Sequence, residues 1–429
     1  MNFFKQWAQF MLAGAVAHAR WEKQMAQNIL GSRKRLLILG LFLLPVAVGG
    51  IAFADQIAAG LPYFLGGKKA YSPAFFTGGI FVASIFIGLG AGLITGCIGA
   101  GGGFIIAPAL MSAGIKGILA VGTDLFHIFA KAIMGSVIHR KLGNISVALA
   151  FIFLIGAILG ATCGGVINRM LYEINPVLSD AFITTIYVLM LGILGSYALI
   201  DFLKARKKDV DAGAHGDDSY EGADLGSLPQ KLQAVRIPPM ITFDKSLVPG
   251  GRRISFIFLV LSGGLVGFAA AIMGVGGGFL TFPIFVYVLG VSSMTTVGTD
   301  IFQIVFTAGY AAISQYAIYG FIFYTLAMGM LLGSLIGIQI GAMVTKVVKG
   351  ITIRGFYAMA VMAGFINRFF ALPSKLAAMD VIPLAPGTAK VLDAIGIWAF
   401  FIVIGGFGVW VIATFLGNIK RLKKAEVAL

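Results

Sequence analysis

Hydrophobic positions along this chain fall in uninterrupted runs, without the alternation of a half-buried strand or the periodicity of a one-faced helix. Leu36 to Ala54, Phe75 to Thr95, Ile254 to Ile272 and Ile395 to Phe415 are each long enough to cross a hydrocarbon core of about 30 Å as an α-helix. The pattern predicts an all-α polytopic membrane protein. The one long polar stretch, Lys204 to Arg253, carries nine basic and seven acidic residues, six glycines, among them Gly213, Gly216, Gly222 and Gly226, and the pair Pro238 and Pro239. That composition reads as a flexible linker between two membrane halves. Its His215, Asp217, Asp218, Glu221 and Asp224 read as a solvated acidic loop, since nothing fixes a ligand geometry among them.

The halves align with each other. Gly99-Ala-Gly-Gly-Gly-Phe104 matches Gly274-Val-Gly-Gly-Gly-Phe279, and Pro108 matches Pro283, at an offset of 175. Gly122-Thr-Asp-Leu-Phe126 matches Gly298-Thr-Asp-Ile-Phe302 at 176, and Gly156, Gly160 and Gly164 match Gly333, Gly337 and Gly341 at 177. Preserved order with a slowly drifting offset indicates duplication. Each half then reads as a helix (74–97; 254–273), a glycine break, a short helix (104–113; 279–289), a helix opened by Gly-Thr-Asp, a glycine-ladder helix and one further helix.

Charge orients the halves. His139, Arg140 and Lys141 follow the Gly-Thr-Asp helix in the first half, where the second has no basic residue between Gln315 and Gly320. Lys346, Lys349 and Arg354 follow the ladder helix in the second half, where the first has Arg169, Glu173 and Asp180. With basic loops cytoplasmic, the repeats are inverted. The expected layout is a cytoplasmic interfacial helix (1–35), an extra first span (36–54), repeat 1 (74–203), a cytoplasmic linker (204–253), repeat 2 (254–370), an extracytoplasmic loop (371–395), and a last span with a basic cytoplasmic tail (396–429). It amounts to eight full spans and two glycine-broken hairpins, with both termini cytoplasmic. The 36–54 segment reads as an uncleaved anchor, because Pro45 interrupts it and its basic flank is too long for a signal peptide.

Composition agrees and removes other classes. Hydrophobic residues make up 59% of the 429, and charged residues only 11%, against about 25% in soluble domains. A net charge of +15 raises nucleic acid as a partner, but the basic residues sit beside apolar spans, with six in 1–35, nine in 204–253 and four in 417–429. This is the positive-inside distribution, so the partner is the lipid bilayer and not nucleic acid. Two cysteines, Cys97 and Cys163, make no disulfide framework, and both read as small buried thiols, with redox or sulfur-transfer chemistry at Cys97 left open. Four histidines, of which only His127 lies deep, supply neither a metal site nor a nucleophile–base pair, which argues against an intramembrane enzyme. No cofactor is expected.

Candidate chemistry gathers at the breaks. In lipid every backbone N–H and C=O needs a partner, so a triple glycine at membrane depth belongs where backbone lines a cavity or is buried in protein. Two such breaks at matching places in inverted repeats point to a transporter binding site. Gly99, Gly101, Gly102 and Gly103, with Gly274, Gly276, Gly277 and Gly278, are therefore candidate substrate-binding residues, each set opening a short helix whose free N–H groups suit an anion. The ladders read as helix packing. Asp124, His127 and Lys131 share one helix face, and the matching face of the second half carries Asp300, Gln303 and Thr307. Ionisable groups at that depth cost at least about 2.5–3.5 kcal/mol each, which marks them as functional candidates.

The expectation is one charged and one neutral half-site: Lys131 neutralises a bound anion, His127 donates a hydrogen bond or changes protonation, and Asp124 with Asp300 holds the Gly-Thr turns or relays protons. An internal Asp124–Lys131 ion pair that only stabilises the bundle is the competing reading. Thr123 and Thr299 are expected as helix N-caps whose hydroxyls also reach substrate.

With the duplicated Gly-x-Gly-Gly-Gly-Phe, the proline four residues later and the Gly-Thr-Asp helix in view, residues 75–200 and 255–370 resemble the sulfite exporter TauE/SafE family of membrane transporters. The resemblance implies transport of a small sulfur-containing anion such as sulfite, sulfoacetate or a related sulfonate, mostly outward across a bacterial inner membrane. Members often carry a small polar residue after Gly-Thr. Asp124 and Asp300 depart from that and favour protons as the coupling ion. The expected function is thus a proton-coupled secondary exporter, with an anion channel lined by the same breaks as the alternative. A homo-oligomer is compatible with the sequence but not specified by it.

Overall fold

Long apolar runs become long helices here because a helix satisfies its backbone within itself, and the glycine runs end them. The computed structural model describes residues 78–98, 102–141, 146–212, 227–244, 251–344, 347–348 and 350–418. The expected interfacial helix (1–35), the first span (36–54), Gly99, Gly101 and the basic tail lie outside the described residues.

The first half comprises α1 (Gly78–Ile98), the short α2 (Gly103–Ser112), α3 (Gly117–Lys141), α4 (Val147–Ile174) and α5 (Pro176–Ala212). Between the halves lie α6 (Ser227–Ala234) and an antiparallel pair of strands, β1 (Met240–Phe243) and β2 (Arg252–Ser255). The second half repeats the order with α7 (Phe256–Met273), the short α8 (Gly278–Pro283) extended by a π-helical turn over Ile284–Val288, α9 (Ser293–Tyr310), α10 (Tyr324–Val344) and α11 (Gly350–Ala377). A last helix, α12 (Pro386–Gly417), follows. Among the described residues eight helices are long and apolar enough to cross a membrane. Phe86, Leu159, Ile193, Leu261, Trp398 and Val409 form part of an exposed apolar surface suited to lipid.

The halves are interlaced by reciprocal contacts. The ladder helix α4 packs on α7 and its counterpart α10 packs on α1, while α3 meets α9 and α5 meets α11. The ladders make this possible: a Cβ at Gly164 would lie 2.7 Å from the Phe268 carbonyl oxygen, and one at Gly337 would fall on the Leu89 carbonyl. Small residues thus bring backbones into contact, as expected of a membrane bundle.

Several boundaries differ from expectation. The Gly-Thr-Asp motifs lie inside α3 and α9, which begin at Gly117 and Ser293, so the motifs do not open those helices. α12 begins at Pro386 and α11 runs to Ala377, which shortens the loop expected over 371–395. The linker expected to be flexible is ordered over 227–244, where α6 and the β-hairpin dock on the tip of the second broken hairpin. Gln233 Nε2 donates to the Leu289 carbonyl (2.8 Å) and Arg252 Nη1 to the Gly290 carbonyl (2.8 Å). Asp244 accepts from Ser292 N and Oγ (both 2.9 Å) and from Thr295 Oγ1 (2.6 Å).

The first hairpin tip is held in the same way by the bundle itself. Buried Arg368 of α11 donates to the Pro108 carbonyl (3.3 Å) and Ser112 Oγ (2.8 Å), and Asp180 of α5 accepts from Gly117 N (2.7 Å). In each case an arginine donates to a backbone carbonyl of the tip and an aspartate accepts an amide at the start of the next helix.

Candidate functional site

Each short helix starts from a glycine in the left-handed region: Gly102 has φ 71° and Gly277 φ 90°, with Gly274 and Gly276 also positive at 78° and 65°. Side chains with a Cβ rarely adopt this conformation, so glycine is required at the turn out of the preceding long helix. The last carbonyls of α7 lose their helical partners at the break. Two buried tyrosines replace them, Tyr187 of α5 donating to Met273 O and Tyr316 to Ala271 O.

The breaks meet. A Cβ on Gly103 would lie 2.9 Å from Val275 Cα and 2.7 Å from Ile128 Cδ1, and one on Gly276 would lie 2.7 Å from Ile128 Cγ2. Ile128 of α3 therefore fills the space between them. Just beyond, Phe104 and Phe279 pack with ring centroids 5.9 Å apart.

Around this junction the first half supplies charge. Lys131 Nζ donates to Thr95 Oγ1 (3.2 Å), which donates to the Ala91 carbonyl (2.8 Å). A Cβ on Gly102 would meet that same hydroxyl at 2.7 Å, which places the ammonium beside the first break. His127 is fully buried, with Nε2 3.0 Å from Ser334 Oγ on α10 and Nδ1 3.8 Å from Asp124 Oδ1. Both Asp124 oxygens and His127 Nδ1 lack hydrogen-bond partners among the described residues. Lys131 and Asp124 act on each other electrostatically along the helix face, as the competing ion-pair reading requires, without a direct hydrogen bond to either carboxylate oxygen.

The second half supplies a hydrogen-bonded ladder at the same places, with an acid but no base. Gln303 Nε2 donates to Asp300 Oδ1 (2.9 Å), and Thr307 Oγ1 donates to Gln303 Oε1 (2.7 Å). A Cβ on Gly278 would lie 3.1 Å from Asp300 Oδ2, so this carboxylate borders the second break.

The threonines correct the expectation of N-caps. Thr123 Oγ1 accepts from Phe323 N (2.9 Å) and Thr299 Oγ1 accepts from Ser146 N (3.0 Å). Each hydroxyl receives the amide just before the ladder helix of the other half, so the threonines tie the repeats together and the aspartates do not hold the Gly-Thr turns. Cys97 donates to the Gly341 carbonyl (3.4 Å) inside the ladder contact, and Cys163 is exposed, contrary to the buried thiol expected there. Thr95, Ile128, Tyr187, Tyr316 and Ser334 are not marked by any motif. Only Ser334 carries a signal in the sequence, a hydroxyl directly after Gly333 of the ladder.

The model for the family described as Sulfite exporter TauE/SafE matches residues 84–368, well over half of the chain, including both breaks and both Gly-Thr-Asp helices. The chain belongs to the sulfite exporter TauE/SafE family. This TauE/SafE protein is 26% identical over 269 residues to "Probable membrane transporter protein YjnA" of Bacillus subtilis (strain 168), covering 61% of the chain and 89% of that protein. It is 24% identical over 281 residues to "Probable membrane transporter protein YunE" of the same organism, covering 64% and 91%. It is also 32% identical over 115 residues to "Sulfite exporter TauE/SafE family protein 6" of Arabidopsis thaliana, covering 25% and 27%. No solved structure matches the chain. The family is described as one of exporters, and the two Bacillus relatives are named as probable membrane transporters, not as enzymes. The match ends at Arg368, so α12 lies beyond it.

Proposed function

We propose that this transporter exports a small sulfur-containing anion, sulfite, sulfoacetate or a related sulfonate, by a proton-coupled alternating-access cycle, with the anion bound between the two glycine-broken helices. The observation that carries the reading is the meeting of the two breaks around Ile128 with Lys131 beside one of them. The amino end of α2 offers backbone N–H groups, Lys131 the countercharge, and Gln303 and Asp300 a polar wall. Asp124 and His127 take the proton-handling role. Because Ile128 occupies the space between the breaks, a carrier that closes between turnovers fits better than an open anion channel.

The inverted arrangement also belongs to this proposal. The amino end of α3 is held by Asp180 near the start of α5, and that of α9 by Asp244 of the linker. We take the two Gly-Thr-Asp helices to start on opposite sides of the bundle, the relation that alternating access uses. With the basic linker on the cytoplasmic face of an inner membrane, α2 ends toward the outside and α8 toward the inside.

A thermal-shift panel of sulfur oxyanions and sulfonates on the purified protein tests the substrate class. Sulfite or a sulfonate is expected to raise Tm, with the rise lost in Lys131→Ala. Indifference of the wild type to every member of the panel contradicts the proposal.

A further inference from the structure

Three polar atoms at one point of the bundle are buried without a hydrogen-bond partner among the described residues: Asp124 Oδ1 and Oδ2 and His127 Nδ1. A native interior rarely leaves such atoms unpaired, and a cluster of them on one helix face marks a place where side-chain protonation matters. Asp124 Oδ1 and His127 Nδ1 face each other 3.8 Å apart, just beyond hydrogen-bonding distance.

The other ring nitrogen, Nε2, lies 3.0 Å from Ser334 Oγ, whose hydroxyl also reaches the Leu331 carbonyl at 3.2 Å. When Nε2 donates to the serine, Nδ1 of the neutral ring turns a lone pair toward the carboxylate, and one added proton on the pair relieves that contact. Ser334 lies on α10, which packs on α1, so the histidine joins the Gly-Thr-Asp helix of one half to the ladder helix of the other.

Charge decides when the proton enters. The groups acting on Asp124 are Lys131, two turns along the same helix, and Tyr187 on α5, with the Ala107 backbone of α2 facing the carboxylate. Tyr187 and Tyr316 are committed as donors to α7 carbonyls, and Asp300 on α9 is engaged with Gln303. With Asp124 ionised and Lys131 protonated, the empty first half-site has no net charge. An anion bound at Lys131 leaves it with one uncompensated negative charge in a buried place, which is strongly unfavourable. One proton on the Asp124–His127 pair restores neutrality.

We infer that Asp124 and His127 together form a one-proton site, and that a monovalent anion and this proton bind together and cross in the same direction. The inference rests on the transporter reading above. It makes transport proton-linked symport, with export driven by the outward gradient of the anion.

Proton uptake on anion addition tests it in weakly buffered detergent solution, with sulfite at a pH where bisulfite dominates and with a monoanionic alkyl sulfonate such as methanesulfonate as the control for probe chemistry. Wild type is expected to take up close to one proton per monovalent anion bound, and Asp124→Asn close to none per anion bound, because the asparagine leaves Lys131 alone to match the anion. His127→Gln is expected to lower the ratio as well. An unchanged ratio in Asp124→Asn, or proton release in the wild type, overturns the inference. Should no sulfur anion bind, the substrate reading fails, and the pair is still tested by pH-difference infrared spectroscopy of the ligand-free protein. A titrating carboxyl band that disappears in Asp124→Asn and moves in His127→Gln is expected, and an identical spectrum in all three proteins overturns the one-proton site.

Discussion

The two Gly-Thr-Asp helices start from one ancestral face and end in different chemistry. On α3 the face reads Asp124, His127, Lys131, with the carboxylate and one ring nitrogen left without hydrogen bonds among the described residues; on α9 it reads Asp300, Gln303, Thr307, closed into a hydrogen-bonded ladder. The frame around them stayed symmetric, since Thr123 and Thr299 make the same cross-repeat bond at 2.9 and 3.0 Å. The scaffold is shared and the side chains differ, and the proposed function assigns the charges and the proton to one half and a polar wall to the other.

The largest way to break this contrast is Lys131→Ala. Leaving a buried anion without its countercharge costs about 3–5 kcal/mol, a hundredfold or more in the efficiency of anion counterflow in proteoliposomes. Thr307→Ala at the matching place of the second half loses one hydrogen bond and about 1 kcal/mol, roughly fivefold. Equal losses at the two positions would erase the proposed division.

The symmetric frame makes the opposite demand. Thr123→Val and Thr299→Val each strand a backbone amide at the start of a ladder helix and are expected to lower stability by about 2 kcal/mol. Thermal unfolding in detergent should find the two alike within error, and a one-sided effect would show that the repeats do not share this tie.

The hairpin tips give the finest comparison. The first is clamped by Arg368 and Asp180 from bundle helices, the second by Arg252 and Asp244 from the linker. Asp244 accepts three hydrogen bonds from the tip and Asp180 one, with a partly exposed Lys375 3.4 Å away. Asp244→Ala is therefore expected to cost about 1–2 kcal/mol and Asp180→Ala about 1 kcal/mol. A larger loss at Asp180 in the same unfolding assay would reverse the ranking.

Much of this architecture is legible in the amino-acid sequence. The duplication places the breaks, ladders and charged face, because glycine runs and intramembrane charges are costly in lipid and so carry information. What the sequence hides depends on contacts between distant segments. Nothing near Thr123 announces that its hydroxyl belongs to Phe323, and nothing near Tyr187 announces that it serves the end of α7. The linker misleads for a related reason: its polarity is genuine, yet Gln233, Asp244 and Arg252 gain order from orphan groups at a hairpin tip that is remote from most of them along the chain.

Counterflow of labelled sulfite or sulfoacetate in proteoliposomes tests the central claim most directly. The account predicts saturable uptake accelerated by the same unlabelled anion on the far side and abolished by Lys131→Ala. A current that grows with the anion gradient without saturating, and that shows no acceleration from the far side, would contradict it and leave a channel.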